Sequence, residues 1–268
     1  MPYATARDGT RLYYKDWGEG RPVVLIHGWP LSSDTFDDAA LALAENGFRA
    51  ISPDRRGFGR SDQPWSGYDY DTFADDVSAI LDEAAVDGQI AIAGFSMGGG
   101  EIARFLTRNP DRVAHAVLIG SVVPFLLQTD DHDGAPKEVF DGMIAAIKKD
   151  RPAFFREFLK AFFGPGKVSG EVIDNAWRQA MMAGLKPTLA CVRAFSETDF
   201  RPDLANFTMP TLIVHGVQDQ TVPIDLTARA AAKAIPNAKL IEYDDGAHGI
   251  FASHGERLIA DLLDFLGS

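Results

Sequence analysis

The chain has 268 residues, of which 46% are hydrophobic and 24% charged, and these values fit one globular domain with a large core. Its formal net charge is -12 at pH 7, and no long run of Lys and Arg offsets the acidic balance. Such a surface repels nucleic-acid phosphates and anionic lipid, so the composition excludes nucleic acid and membrane surfaces as expected partners.

Short runs of β-forming residues alternate with longer helical patterns, which predicts an α/β fold with a mostly parallel sheet and helices on both faces. The expected strands are Tyr3–Ala6, Leu12–Asp16, Pro22–Ile26, Phe48–Pro53, Gln89–Gly94, Ala116–Ile119, Thr211–Val214 and Leu240–Tyr243. The expected helices occupy residues 34–46, 72–85, 97–108, 224–234 and 253–266. Asp8-Gly9 predicts a type I′ turn, and therefore an antiparallel hairpin at the start of the fold.

The alternation stops between about Val122 and Leu204, where helical stretches rich in phenylalanine occur without a convincing strand. A long helical insertion between two strands predicts a cap over the functional site. We therefore expect a core of residues 1–121 and 205–268 and a helical cap of residues 122–204. The single cysteine, Cys191, excludes an intrachain disulfide, and its apolar helical context predicts core packing.

The start of the chain has no basic region followed by an apolar segment of the kind that directs secretion. The longest apolar stretch, residues 116–127, is too short to span a bilayer. We therefore expect a cytoplasmic protein, and self-association into a homo-oligomer is left open.

Gly94-Phe95-Ser96-Met97-Gly98 follows an apolar strand and precedes a helical pattern, which is the context that a Gly-x-Ser-x-Gly nucleophile elbow requires. The two glycines remove side chains that would collide in so tight a turn. A dinucleotide or phosphate loop would need G-x-G-x-x-G or G-x-x-x-x-G-K-[ST], and the glycine-rich segments match neither spacing. Ser96 is therefore the expected nucleophile.

A serine nucleophile needs a histidine base and an acid that orients it, in the chain order Ser, acid, His. Of six histidines, His248 is the expected base because it lies in a loop between the last strand and the last helix. Asp219 is the expected acid because it follows the penultimate strand. Asp225 falls in the next helix, and Asp244 and Asp245 are close in sequence to His248, although either of these two could substitute.

The oxyanion donors expected from this chain order are the backbone N–H groups of Met97 and of Trp29. Trp29 lies in the loop His27-Gly28-Trp29-Pro30-Leu31 after the third strand. His27 is expected to brace this loop by hydrogen bonding. Pro30 removes one N–H and favours an extended conformation at Trp29.

Four segments together resemble the bacterial aryl esterases and the cofactor-free (non-haem) haloperoxidases, also called perhydrolases. They are His27–Pro30, Pro53–Trp65, Gly94–Gly100 and Thr198–Asp203. The resemblance implies an α/β-hydrolase fold with an eight-stranded sheet, a helical cap, no metal or other cofactor, and hydrolysis of small esters; some members act on lactones or γ-lactams. It also implies peracid formation from a carboxylic acid and hydrogen peroxide, with Pro30 shifting the Trp29 carbonyl toward the site.

Other chemistries on this fold fit less well. Haloalkane dehalogenases and epoxide hydrolases use aspartate at the elbow and dienelactone hydrolases use cysteine, whereas this chain has Ser96. A carbon–carbon bond hydrolase or a hydroxynitrile lyase keeps the serine, and a catalytically inactive binding module is the alternative from another class. The expected partner is a small ester, bound in an apolar pocket that favours short acyl groups. The pocket is expected to be lined by Trp29, Phe95, Phe125, Phe158 and Phe162, although ordinary core packing explains the cap phenylalanines equally well.

Overall fold

The computed structural model describes residues 2–267 and contains one eight-stranded sheet. In chain order the strands are β1 (Tyr3–Thr5), β2 (Arg11–Trp17), β3 (Arg21–Ile26), β4 (Phe48–Pro53), β5 (Ile90–Phe95), β6 (Val113–Ile119), β7 (Thr211–Gly216) and β8 (Ala238–Tyr243). Their order across the sheet is β1-β2-β4-β3-β5-β6-β7-β8. Pairing is antiparallel between β1 and β2 and between β2 and β4, and parallel elsewhere. The predicted fold class and all eight predicted strands are confirmed.

The predicted hairpin between β1 and β2 is present, but the predicted type I′ turn is wrong. Gly9 has a positive φ of 86° whereas Asp8 does not, and type I′ needs both. Gly9 N–H donates to Ala6 O at 2.9 Å, and Ala6 N–H donates to Thr10 O at 2.9 Å. The loop therefore has three residues and ends in a left-handed glycine.

Nine helices occur in the described residues. They are α1 (Asp37–Glu45), α2 (Tyr70–Glu83), α3 (Met97–Arg108), α4 (Lys137–Phe163), α5 (Gly170–Met182), α6 (Leu185–Glu197), α7 (Ala228–Ala234), α8 (Ile250–Ser253) and α9 (Gly255–Gly267). Short 3-10 helices cover Ser33–Phe36 and Arg201–Asn206. Every predicted helix is present, although the one expected at 253–266 is α9, which begins at Gly255, and the one expected at 224–234 begins only at Ala228.

The central strands are buried on both faces, and alternate residues enter two different apolar clusters. Val24 and Ile26 of β3 pack in the cluster that contains the apolar residues of α2 and α3. Val23 and Leu25 of the same strand pack in the cluster that contains those of α1 and α9. This period of two places helices on both faces and explains why the parallel strands are continuous apolar runs.

The segment between β6 and β7 contains α4, α5, α6 and the second 3-10 helix, with isolated bridges at 127–135 and 129–132 but no strand. α4 is interrupted at Asp150 (φ -158°, ψ 84°), whose side chain accepts a hydrogen bond from Ala153 N–H at 3.0 Å. Pro152 in the next turn has no N–H to lose, so the second half of α4 starts there. The division of the chain into a core and a cap stays a prediction. None of the described helices is long and apolar enough to cross a membrane.

Candidate active site

The turn between β5 and α3 holds Ser96 in a conformation that few residues other than glycine adopt, with φ 54° and ψ -118°. A Cβ on Gly94 would lie 2.5 Å from Gly98 O, and a Cβ on Gly98 would lie 2.5 Å from Ile26 O. Both contacts are with backbone, which has no room to give way. The two glycines are therefore required by close approach, as the elbow pattern predicted.

Ser96, His248 and Asp219 form one chain of hydrogen bonds. Ser96 Oγ is 3.0 Å from His248 Nε2, and His248 Nδ1 is 2.6 Å from Asp219 Oδ2. All three side chains are buried, with Ser96 the most exposed at 6%. β5, β7 and β8 carry these residues just beyond their carboxyl ends, and this shared edge of the sheet brings distant segments together.

The partners of His248 determine which of its nitrogens carries the proton. An ionised carboxylate accepts hydrogen bonds only, so Nδ1 holds the hydrogen that Asp219 accepts. Nε2 is then free to accept the Ser96 hydroxyl proton. Burial of Asp219 opposes its ionisation, but His248 and His215 together lower the pKa of its carboxyl group well below the ordinary value of 3.8. The acid is therefore ionised at neutral pH.

The loop after Asp219 is organised by the same carboxylate. Asp219 Oδ1 accepts hydrogen bonds from Thr221 N–H and Val222 N–H, both at 2.8 Å. His215 Nε2 lies 3.2 Å from Asp219 Oδ2, and His215 was not among the predicted site residues. In the sequence, the one sign of this contact is that His215 precedes Asp219 by four residues. The contact itself depends on how the loop after β7 folds back toward the strand, which the sequence pattern does not show.

The two predicted oxyanion donors lie at the elbow and in the loop after β3. Met97 is the first residue of α3, and within residues 2–267 no acceptor is bonded to its N–H or to that of Trp29. The Trp29 indole N–H donates to Thr188 O at 3.0 Å, and the Trp29–Pro30 bond is cis. The assignment of both N–H groups to an oxyanion hole stays a prediction.

His27 braces the loop after β3, as expected. Its Nε2 accepts a hydrogen bond from Arg55 N–H at 3.0 Å, so its Nδ1 donates to Gly28 O at 2.9 Å. Burial, together with the Arg55 charge, lowers the pKa of His27 well below 6.5, which keeps the ring neutral. The Arg55 guanidinium also donates to His27 O at 2.6 Å and pairs with Glu101 of α3. A buried ion pair thus ties the loop after β3 to the helix that follows Ser96.

Ser96 and His248 open onto a cavity of about 290 Å³. Its polar lining consists of Ser96, His248, Gln220 and Thr221, and no Asp, Glu, Lys or Arg among the described residues lines it. Its apolar lining is Trp29, Val122, Leu126, Ala135, Val139, Phe140, Met143, Phe158, Ala161, Phe195, Val222, Pro223 and Leu226. Trp29 and Phe158 line the cavity, and their contact with a substrate stays a prediction. Most of the other lining residues come from the helical segment and the loop after Asp219.

Phe95, Phe125 and Phe162, which the sequence suggested as substrate contacts, do not line this cavity. The rings of Phe95 and Phe162 pack against the His248 imidazole, with centroid distances of 4.9 Å and 4.8 Å. The Phe125 ring packs against the His132 ring in a tilted arrangement, with a centroid distance of 5.1 Å. The sequence marks these side chains as apolar, but only the packing decides whether they face a ligand or a neighbouring ring.

The sheet order, the strained serine and the two glycines define the α/β-hydrolase class of fold. The family described as "alpha/beta hydrolase fold" matches residues 21–255, most of the chain. The chain therefore belongs to the α/β-hydrolase family.

Within that family, curated relatives are similar to this chain over the full length. A non-heme chloroperoxidase of Kitasatospora aureofaciens is 43% identical, and the match covers 99% of both chains. A bifunctional esterase/perhydrolase of Acinetobacter calcoaceticus is 43% identical, with 100% of both chains covered. The solved structure of a bromoperoxidase from Bacillus anthracis is 42% identical, with a TM-score of 0.95 and 100% of both chains covered. The resemblance expected from the sequence is confirmed.

Proposed function

We propose that the protein is a serine carboxylic-ester hydrolase of the aryl esterase type, which acts on small esters through an acyl-enzyme on Ser96. The observation that carries the proposal is the unbroken hydrogen-bond chain from Ser96 Oγ through His248 to Asp219 at an apolar cavity. Full-length relatives named as an esterase/perhydrolase and as haloperoxidases support it.

In the proposed mechanism, Ser96 Oγ attacks the ester carbonyl while His248 Nε2 takes the hydroxyl proton. Asp219 stabilises the imidazolium that forms. The N–H groups of Trp29 and Met97 donate to the oxyanion, and each is expected to lower the barrier by about 3 kcal/mol. His248 returns the proton to the leaving alcohol as the ester C–O bond breaks. Water then cleaves the acyl–Ser96 bond in the same way and releases the acid.

The cavity favours neutral substrates. Transfer of a charged group from water into an apolar site without a partner is costly, and no Lys or Arg of residues 2–267 lines the cavity to accept a carboxylate. Its volume of about 290 Å³ is near the lower end of the usual range for small-molecule sites. Small esters with uncharged acyl and alcohol groups fit these two properties.

Hydrolysis of 4-nitrophenyl acetate by the purified protein tests the proposal. Ser96→Ala is expected to lower kcat by about 10⁴-fold or more. The control is Ser78→Ala, because the Ser78 hydroxyl bonds Ala74 O within α2 and lies outside the site. A fluorophosphonate probe should label the unaltered protein and not Ser96→Ala. An inactive, unlabelled, folded protein would rule the proposal out.

We propose perhydrolysis as a second activity of the same site, supported by the relative named as a bifunctional esterase/perhydrolase. The carboxylic acid first acylates Ser96, and water is the leaving group. Hydrogen peroxide then gives a proton to His248 while its oxygen attacks the acyl carbon. The bond between that carbon and Ser96 Oγ breaks, His248 returns the proton to Ser96, and the peracid is released. The peracid then oxidises bromide. Acetate, peroxide and bromide with a halogenation dye measure this activity, and Pro30→Leu is expected to lower the ratio of perhydrolysis to hydrolysis. An unchanged ratio would contradict the expectation that Pro30 favours perhydrolysis by shifting the Trp29 carbonyl toward the site.

The lactonase, γ-lactamase and carbon–carbon hydrolase alternatives share the nucleophile. A panel of esters, lactones and γ-lactams ranks the first two of these against the ester hydrolase by kcat/KM. The cytoplasmic location and the homo-oligomer considered from the sequence stay predictions. Size-exclusion chromatography with light scattering measures the second of these directly.

A further inference from the structure

A second histidine touches the carboxylate of Asp219. His215 is the next-to-last residue of β7 and is fully buried. Its Nε2 lies 3.2 Å from Asp219 Oδ2 and 2.9 Å from Val222 O. The oxygen it approaches is the same one that His248 Nδ1 contacts at 2.6 Å.

The acceptors around His215 determine its protonation. Val222 O and an ionised Asp219 can only accept hydrogen bonds, so His215 Nε2 carries a hydrogen and donates to both. His215 Nδ1 is buried without a partner among the described residues. A proton there would leave a buried charged donor unsatisfied, which costs far more than an unsatisfied ring acceptor. His215 is therefore a neutral donor.

This donor acts on two features at once. It completes the coordination of Asp219, whose Oδ1 already accepts from two backbone N–H groups and whose Oδ2 accepts from His248. It also fixes the carbonyl of Val222, a residue that lines the cavity. Among the described residues, Glu242 is a further charged group near His215; it lies opposite His215 on β8 and is paired with Arg229. His248 itself is enclosed by Ser96 and the rings of Phe95 and Phe162.

We propose that His215 is a positioning residue for the general base: it holds Asp219 Oδ2 in line with His248 Nδ1 and takes up part of the carboxylate charge. The inference rests on the proposed function. Without this donor, the whole charge of Asp219 Oδ2 acts on His248. The imidazolium is then more stable, His248 loses its proton at a higher pH, and the loop that carries Asp219 and Val222 is less ordered.

His215→Phe removes the donor and keeps a ring of similar shape. We expect its kcat/KM to fall about 10- to 100-fold, with the acid limb of the pH profile moving up by about half a unit to one unit. His215→Gln places an amide N–H near the position of Nε2 and should return the limb to its original pH. Circular dichroism and thermal unfolding confirm that each variant is folded.

His115→Phe is the matched control, because His115 is also a strand histidine with an unpartnered Nδ1 but lies in the amino-terminal half of β6. It should leave the acid limb unchanged. The protonation of His248 can also be followed by NMR in the Ser96→Ala variant, which does not require turnover. Adding His215→Phe to that variant should raise the pH at the midpoint of the His248 titration.

The outcomes separate the two hypotheses. An inactive unaltered protein defeats the proposed function. An active protein whose His215→Phe variant keeps the acid limb and the NMR midpoint of the unaltered enzyme overturns only the inference about His215. An equal shift in His115→Phe, or no return in His215→Gln, overturns it as well.

Discussion

The ring of Phe162 lies 4.8 Å from the imidazole of His248, centroid to centroid, at an interplanar angle of 83°. The Phe162 carbonyl also accepts a hydrogen bond, at 2.8 Å, from the N–H of Gly249, the residue that follows His248. Phe162 belongs to α4, whereas His248 follows β8. The helical segment therefore supports the proposed base directly, in addition to lining the cavity with residues such as Phe158.

Phe162→Leu is expected to lower kcat for aryl esters by about 10-fold without reordering the acyl-length profile. The smaller side chain leaves His248 less well held, but the cavity lining is unchanged because Phe162 does not contribute to it. Phe158→Leu is the matched control, since Phe158 lines the cavity and its truncation should shift the preference toward longer acyl groups. Steady-state kinetics on acetate to octanoate esters distinguish the two variants. Equal changes of profile in both would contradict the packing argument.

The elbow could be predicted because the residues that form it are neighbours in the sequence. Gly94, Ser96 and Gly98 follow a predicted strand and precede a predicted helix, and this local context is enough to recognise the turn. The strands could be predicted because burial on both faces requires continuous apolar runs. The contacts of Phe95, Phe125 and Phe162 could not, because an apolar side chain satisfies a ligand pocket and a core equally well. The contact between His215 and Asp219 could not be predicted either, because it depends on how the loop after β7 packs against the strand. No local sequence pattern indicates that packing.

Gly98→Ala is expected to abolish detectable esterase activity and to destabilise the protein by several kcal/mol, about 3 or more. Its Cβ would lie 2.5 Å from Ile26 O, a backbone atom of the central sheet. Gly142→Ala is the control, because nothing lies within 4 Å of a Cβ there and Gly142 is inside α4. That change should stabilise the protein by about 0.5–1 kcal/mol. Urea unfolding measures both, and an active, stable Gly98→Ala enzyme would show that the close approach does not constrain the elbow.

Glu101→Gln is expected to lower the free energy of unfolding by about 3–5 kcal/mol, because it leaves the Arg55 charge buried without its partner. The loop after β3 should loosen as well, since Arg55 also donates to His27 O. Burial raises the pKa of Glu101 to about 7 even beside Arg55, so the folded protein should take up this proton between about pH 8 and 6, well above the ordinary range of a glutamate. Urea unfolding and potentiometric titration measure the two effects.

The double variant Arg55→Met/Glu101→Leu separates charge from packing at this site. It removes both charges, and its stability should recover by about 1–4 kcal/mol relative to Glu101→Gln alone. Its activity should be lower than that of the unaltered protein, because the hydrogen bond from the Arg55 guanidinium to His27 O is gone. A double variant as unstable as Glu101→Gln would mean that the uncompensated charge is not the cause.

Asp219→Asn is expected to lower kcat/KM by about 10⁴-fold. The amide nitrogen of asparagine cannot accept a hydrogen bond from His248 Nδ1 or His215 Nε2. His248 is therefore driven to the tautomer with hydrogen on Nε2, which cannot take the Ser96 proton.

The Asp219→Asn change should also alter the pH dependence of stability. The folded-state pKa of Asp219 lies below its ordinary 3.8, so its ionised form stabilises the protein above that value and the contribution is lost as pH falls further. The stability difference between the unaltered protein and Asp219→Asn should therefore be constant from pH 7 to 5 and shrink below pH 4. Urea unfolding across this range checks the sign, and a difference that grows at low pH would contradict an ionised, hydrogen-bonded acid.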